Sequence, residues 1–236
     1  MNKLLRKLAK KVGIGEGGLE LTALDAALKR TRDRNTTFNT VIDIGASNGC
    51  WSEQLRKHYP KAFCFLVEAN PYHQAALVQF KASHADVDYV LAAAGDTEGE
   101  IYFDGTDPFG GLASHEVSEK TNLKVPATTV DRLCQTRQLQ PPYLIKLDTH
   151  GFEVPIFEGA KEALKQASLL IVETYNFDIA SNSLRFPQLC QYLEAQGFRC
   201  IDMCDPLYRE FDQAFWQVDF FFVPASYVGF EKNTWT

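Results

Sequence analysis

Three side chains in the middle of the chain have the types and spacing for proton transfer: Asp148 and His150 in LIKLDTHG, and Glu173 in SLLIVETYN. A histidine titrates near neutral pH, and neighbouring carboxylates can orient it or take a proton themselves, which is what an acceptor hydroxyl needs in order to react. Each of the three follows an apolar run that reads as a strand, so each is expected at a strand's carboxyl end. His150 or Asp148 is the candidate base, with Glu173 orienting one of them. The plainer alternative is a turn in which Asp148 caps backbone amides beside a glycine. Lys146 shares the face of Asp148 on a strand, as an ion-pair partner or as a side chain snorkelling at the sheet edge. The same three residues could hold a divalent cation, but no ligand pair at helical spacing supports that, and a site without metal is expected.

A second set of residues could hold a ligand. VIDIGASNGCWSEQL runs from a strand through the small residues Gly45, Ala46, Ser47, Asn48 and Gly49 into a helix, with Asp43 inside the strand. Glycines there allow backbone angles and close approach that a β-carbon would block, which serves a ligand or simply a tight packing turn, and the helix start offers free N–H groups. The turn is not the G-x-G-x-x-G of pyrophosphate binding, because Ser47 replaces the second glycine. Glu68 ends the next strand 25 residues after Asp43, about where doubly wound folds place the acid that accepts both hydroxyls of a ribose. Asn70-Pro71 already supplies a helix cap and first-turn proline, which frees Glu68 from that task. A nucleoside is the expected ligand, and the altered glycine pattern means that it need not carry a pyrophosphate.

The elements that must position these residues alternate. VIDIG, AFCFLVEANP, VDYVLAAAG, LIKLDTHG and SLLIVETYN read as strands. WSEQLRKHY, YHQAALVQFKASH, VPIFEGAKEALKQA and FPQLCQYLEAQGF read as helices. Alternation of this kind predicts an α/β fold, a doubly wound sheet that is mostly parallel. Runs such as SLLIVE lack clean alternation and suit strands covered on both faces. DPLYREFDQ is too short for a crossover, so the last two strands, RCIDMCD and FWQVDFFFVP, are expected to pair antiparallel. The turns GASNG, EANP, DTHG and ETYN then gather at the carboxyl ends, where such sheets bind ligands.

Composition narrows the partners. With 236 residues, 45% hydrophobic and 23% charged, the chain can bury one large core. A net charge of −6 argues against general nucleic-acid binding. Six cysteines without a C-x-x-C pair fit reduced thiols in a cytoplasmic protein, with a metal site at Cys190, Cys200 and Cys204 as the lesser alternative. No transmembrane or signal segment is apparent. MNKLLRKLAKKVG is amphipathic and basic, so residues 1–12 are expected to pack on the domain or touch an anionic membrane surface weakly. A helical extension over residues 1–35 and one domain over residues 36–230 are expected.

The ordered set VIDIGASNG, FLVEANP, LAAAGDTEGE, VPATTVDRL, LIKLDTHGFEVPIFEGA and LLIVE resembles the FkbM family of S-adenosylmethionine-dependent methyltransferases. The resemblance covers roughly Val41 to Glu173, with a compatible tail to Pro224. It implies a class I, Rossmann-like methyltransferase domain with a seven-stranded sheet, S-adenosylmethionine as cofactor, and usually methylation of a hydroxyl oxygen. It places Asp43, Gly45, Ala46, Ser47 and Gly49 beside the methionine part of the cofactor. Glu68 would hold the ribose, flanked by Ala69 and Asn70, and Ala93, with Asp96 nearby, would approach the adenine. The turn DTHG departs from the family's more frequent D-V-E-G, and puts His150 where that pattern has an acid.

Specificity is expected in Thr106 to Lys124, a long Gly-Gly-containing segment suited to a lid, in which Phe109 could meet the acceptor or merely anchor the loop. YNFDIASNSLRF is the candidate opposite wall. The acceptor would be a small molecule or glycan, such as a sugar hydroxyl. His58, His73, His84 and His115 have no matched partners in sequence and are expected at the surface. Two rival functions remain: a catalytically inactive methyltransferase-like docking or nucleoside-binding module, and, last, an NAD-linked oxidoreductase, for which the glycine turn is wrong.

Overall fold

The computed structural model describes residues 20–117, 123–181 and 183–235. The basic stretch 1–12, the glycine-rich stretch after it and part of the expected lid lie outside the described residues. Among those described, no helix is long and apolar enough to cross a membrane.

Helix α1 (Leu24–Asp33) leads into β1 (Thr40–Ile44), α2 (Cys50–His58), β2 (Phe63–Glu68), α3 (Gln74–Ser83) and β3 (Val87–Leu91). After β4 (Ala93–Ala94), β5 (Gly99–Asp104), β6 (Leu112–Ser114) and β7 (Leu123–Thr128) come α4 (Val130–Thr136), β8 (Tyr143–Leu147), α5 (Glu153–Glu158), α6 (Lys161–Leu164) and β9 (Ala167–Tyr175). Then follow α7 (Phe186–Ala195), β10 (Phe198–Tyr208) and β11 (Phe215–Pro224), with a short 3-10 turn at Val228–Glu231 after them. Seven strands form one sheet in the order β10-β11-β9-β8-β1-β2-β3. Strands β1, β2, β3, β8 and β9 run parallel, and β11 is antiparallel to both β9 and β10. This is the doubly wound, mostly parallel sheet that alternation predicts, with the expected antiparallel pair at its end.

Why the runs lack alternation is visible in the packing. Ile42, Phe65, Ile145 and Leu170 belong to one buried cluster, and their neighbours Val41, Leu66, Leu144 and Ile171 to a second. Successive side chains point to opposite faces, and both faces are covered, so every position is apolar. The exceptions Asp43, Lys146, Glu173 and Asp219 share the face that α1 and α2 cover, which leaves a short row of charge inside the sheet.

Two features differ from the linear reading. VDYVLAAAG is not one strand: Ala92 N bonds Glu68 O at 2.9 Å, and the chain then leaves for a second sheet, β4-β7-β5-β6. VPIFEGAKEALKQA is not one helix either. A β-carbon on Gly159 would lie 1.9 Å from the Gly95 carbonyl oxygen, so the helix breaks where it presses on the β4 loop. Small residues mark a close approach of two backbones in both cases, which local periodicity does not encode.

Helix α1 is tied to the sheet edge by Asp202 on β10. Its carboxylate accepts from Arg30 Nε and Nη2, both at 2.8 Å, and from Arg34 Nη2 at 2.7 Å. Burial works to raise the Asp202 pKa, but the two guanidinium groups outweigh it and hold it below the usual carboxylate range. A group whose folded pKa is depressed stabilises the fold above its unfolded value, about 3.9, and loses that contribution as pH falls further. Asp202→Asn is therefore expected to cost about 1–2 kcal/mol in urea unfolding at pH 7. The deficit should shrink below about pH 4; an undiminished deficit there would exclude the ion pair as its origin.

Candidate active site

The chain goes outward from β1 through β2 and β3, then returns to the other side of β1 as β8 and β9. At this reversal, beyond the strands' carboxyl ends, lies a cavity of about 400 Å³, within the size range of small-molecule sites. Gly45, Ser47, Glu68, Ala69, Asn70, Ala93, Asp148, His150 and Glu173 all reach its wall. Asp43, Ala46, Gly49 and Asp96 do not. Asp43 is wholly buried behind it, accepting from Ser52 Oγ at 2.7 Å. Gly49 packs on Phe80, with φ +83° at the start of α2. Asp96 lies 3.3 Å from His115 Nε2.

The GASNG turn is drawn onto the end of β2. Gly45 N and Ala46 N bond Val67 O at 3.0 and 3.2 Å, and Ser47 N donates to Glu68 Oε2 at 2.6 Å. Gly45, at φ +74°, could carry no side chain, because a β-carbon would lie 2.0 Å from the Asp148 carbonyl oxygen. Its glycine is therefore needed by the β1–β8 contact. Glu68 Oε1 accepts from Asn70 N, also at 2.6 Å, so one carboxylate clasps both turns. Burial raises its pKa and those two amides lower it, with a net upward shift. A carboxylate oxygen has more than one acceptor position, so Glu68 can still take two ligand hydroxyls. Asn70 is buried, its Oδ1 is fixed by Tyr72 N at 3.0 Å, and its Nδ2 donor has no partner on the cavity wall. An acidic clasp beside an unpartnered donor suits a nucleoside with a polar tail, and these residues fit S-adenosylmethionine.

At the other end of the cavity three elements converge. The DTHG turn is built by Glu153 of α5, whose Oε1 accepts from Gly151 N at 2.9 Å and Thr149 Oγ1 at 3.1 Å. His150 takes φ +54° there, a left-handed conformation uncommon outside glycine but more frequent for histidine than for most residues. Its Nε2 lies 3.9 Å from Asp148 Oδ1 and 3.8 Å from Glu173 Oε2. Lys146, buried, bonds Asp148 Oδ2 at 3.0 Å and lies 3.5 Å from Asp43 Oδ1. Burial works to raise the Asp148 pKa, but Lys146 and His150 hold it below the ordinary carboxylate range. Burial and then Asp148 push the Glu173 carboxyl up to about 9. Tyr175 donates to Glu173 Oε2 at 2.5 Å, and Gln217 donates to Oε1.

Several of these groups escaped the sequence. His73 is 2% exposed, not at the surface as expected. Its Nε2 lies 2.6 Å from the Pro108 carbonyl oxygen, an acceptor, so Nε2 carries the proton; Ser47 Oγ is 3.4 Å away. The histidine thus ties the loop around Phe109 to the β1 turn. His58 and His84 are also paired, with Asp25 and Glu53, and only His115 is largely exposed. Gln217 had a readable signal: with Asp219 it forms a polar pair two apart in the apolar run FWQVDFFF, hence on one face. His73 had none, because its burial depends on a loop that follows it by 35 positions. Phe109 lines the cavity. Of YNFDIASNSLRF, Tyr175 reaches the wall; Ala180 and Ser183 pack instead against Gly151.

The six cysteines are free, two of them buried, and among the described residues the one group of side chains spaced to hold a metal is Asp148, His150 and Glu173.

This sheet order, with an acid at the end of β2 and polar turns after β8 and β9 around one cavity, defines a class I methyltransferase fold. The Methyltransferase FkbM domain matches residues 43–200, and the chain belongs to that family. Over 79 residues, 34% of this chain, it is 25% identical to the hexuronic acid methyltransferase AglP of Haloferax volcanii; the match spans 33% of that relative. The crystal structure of an FkbM methyltransferase from Methylobacillus flagellatus superposes on 77% of the chain with TM-score 0.51 at 15% identity, and 43% of that protein is covered. Fibrillarin, a pre-rRNA processing protein of Methanococcus jannaschii, superposes on 79% with TM-score 0.51 at 14% identity, and 66% of it is covered. At such identities the two structures speak to the fold alone.

Proposed function

We propose that the protein binds S-adenosylmethionine and methylates a hydroxyl oxygen of a sugar or similar small acceptor. The observation that carries this reading is the pairing within one cavity of the Glu68 clasp with the Asp148, His150 and Glu173 cluster. When bound, the cofactor supplies an electrophilic methyl group: its C–S bond breaks as the acceptor's C–O bond forms, leaving S-adenosylhomocysteine.

The chain's own work is to hold donor and acceptor in line, to exclude water and to receive the hydroxyl proton. Glu68 would accept both ribose hydroxyls, with Ser47, Ala69 and Asn70 around them and Ala93 beside the base. The hydroxyl would meet the three-residue cluster, where its proton is taken up. Thr149, Tyr175 and Gln217 offer hydrogen bonds beside Phe109 and Phe152, a mixture suited to a sugar, which has both polar edges and apolar C–H faces. The sugar-modifying relative from Haloferax volcanii supports an acceptor of this class.

His150→Ala is expected to lower turnover at least tenfold while leaving the cofactor's dissociation constant within about threefold. Release of S-adenosylhomocysteine, measured over a panel of monosaccharides and glycans, checks it. Near-normal turnover in the variant would remove His150 from the reaction.

A further inference from the structure

We propose that Asp148, His150 and Glu173 form a binding site for a divalent cation of the manganese(II) kind. That this cation then holds the acceptor hydroxyl rests on the methyl-transfer reading above; that it binds does not.

The geometry comes first. One ligand atom from each residue lies within 4.8 Å of the others, and the two distances from His150 Nε2 are 3.9 and 3.8 Å. A point equidistant from three atoms so placed lies about 1.9–2.5 Å from each, against roughly 2.0–2.6 Å for bonds from magnesium or calcium to oxygen and ~2.1 Å from zinc to a histidine nitrogen. A cation could therefore sit among them with little adjustment. The spacing the sequence lacked is not needed, because the ligands come from the turn after β8 and the end of β9, strands adjacent in the sheet.

The orientation of each ligand is set from outside the cluster. Lys146 takes Asp148 Oδ2 and leaves Oδ1 turned toward His150. Tyr175 and Gln217 fix the Glu173 carboxylate, and Oε2 faces the imidazole. Glu153 anchors the turn that aims His150 inward. Fixed ligands with outer hydrogen bonds are what tight metal sites require.

Charge and donor type agree. Two carboxyl groups and one imidazole meet here, and Lys146, the buried cation beside them, is shared with Asp43. Three donors on one side leave the cavity side open for water or for hydroxyls of a ligand. Two oxygens with one imidazole suit manganese or magnesium better than a thiolate-seeking metal. His150 then acts as a ligand through Nε2, and not as a free base.

The test is manganese(II) titration of the chelator-stripped full chain, read by calorimetry and by the electron paramagnetic resonance signal of free manganese. One site per chain of micromolar affinity is expected. Glu173→Gln and His150→Asn should each weaken it at least tenfold, with S-adenosylmethionine binding and far-ultraviolet circular dichroism unchanged. Asparagine tolerates the left-handed backbone at position 150, and glutamine keeps the size of Glu173. Absence of binding below millimolar manganese, or binding indifferent to both variants, overturns the site. Full-rate methyl transfer in excess chelator would also overturn it, while leaving the methyl-transfer reading intact with His150 as base. Manganese binding lost in both variants, without methylation of any acceptor, supports the site and counts against that reading.

Discussion

Glu68→Ala is expected to weaken S-adenosylmethionine and S-adenosylhomocysteine binding at least a hundredfold, in calorimetric titrations beside the unaltered protein. A hydrogen bond to a charged group contributes roughly 1.5–3 kcal/mol, and two ribose hydroxyls would be lost at once, so a hundredfold, about 2.7 kcal/mol, is the lower end. The alanine also releases Ser47 N and Asn70 N, which Glu68 holds at 2.6 Å each, so the two turns would loosen and thermal stability should fall as well. Glu68→Gln separates the two effects. It keeps the size but turns an amide NH₂ toward one of those backbone N–H groups, and it should still cost tenfold or more in affinity. The direction of the Glu68 pKa adds a second reading. It is raised in the free protein, and ligand hydroxyls favour the carboxylate, so affinity should fall as pH drops through that raised value. Glu68→Gln should be flat across the same range. Micromolar binding that survives both substitutions would place the ribose elsewhere. If neither ligand binds the unaltered protein, the reading as an inactive docking module takes precedence.

What the sequence revealed and what it concealed follow from the range of the interactions involved. Strand identity was legible because both faces of the sheet are covered, which makes LLIVE-like runs unavoidable in β1, β8 and β9. The antiparallel end was legible from a loop too short to cross the sheet. The cluster of Asp148, His150 and Glu173 was legible because strand ends converge in any doubly wound sheet, so residues 25 positions apart could be placed together without knowing side-chain directions. The four-stranded second sheet was not. Its pairing of β4 with β7 joins Ala93 to Ala127 across 34 positions, and neither segment carries a signal for the other. The same holds for His73, whose partner is a carbonyl, a group every residue has. Sequence left the reason for Gly45 open between ligand approach and a tight packing turn. In the structure the Asp148 carbonyl packs where its side chain would be.

Lys146→Met is expected to destabilise the fold by about 3–5 kcal/mol at neutral pH, the usual consequence of removing one member of a buried charge group. Methionine can lie along the same path beside the Trp51 ring, over which the ammonium now sits 5.3 Å from the centroid, so lost packing contributes little. What remains is Asp43, fully buried, and Asp148 and Asp219 near it, with the one ammonium they share removed. In the unaltered protein burial works to lower the Lys146 pKa, but Asp148, Asp43 and Asp219 more than offset it and raise it. A lysine whose folded pKa is raised contributes fully below its unfolded value of about 10.4, so its whole contribution is present at pH 7. Without it the carboxyl groups move further up; Asp219 already stands at about 7 through burial and the charge of Asp148. A carboxyl raised in the folded state favours the fold below its unfolded pKa, and that advantage disappears as pH rises through the folded value. The variant should therefore be weakest at pH 7.5 and recover toward the parent at pH 5, in urea unfolding at each pH. Asp43→Asn in the same background should restore part of the loss, because it removes the most deeply buried of the stranded charges. Ser52 would then face an amide where it now donates to Asp43 Oδ2 at 2.7 Å, a small penalty beside an unpaired buried charge. A Lys146→Met protein as stable as the parent at pH 7.5, or a double variant no better than the single one, would mean that Asp43 is already neutral in the folded state. In that case Lys146 serves Asp148 alone, and its role is to aim one carboxylate oxygen at His150.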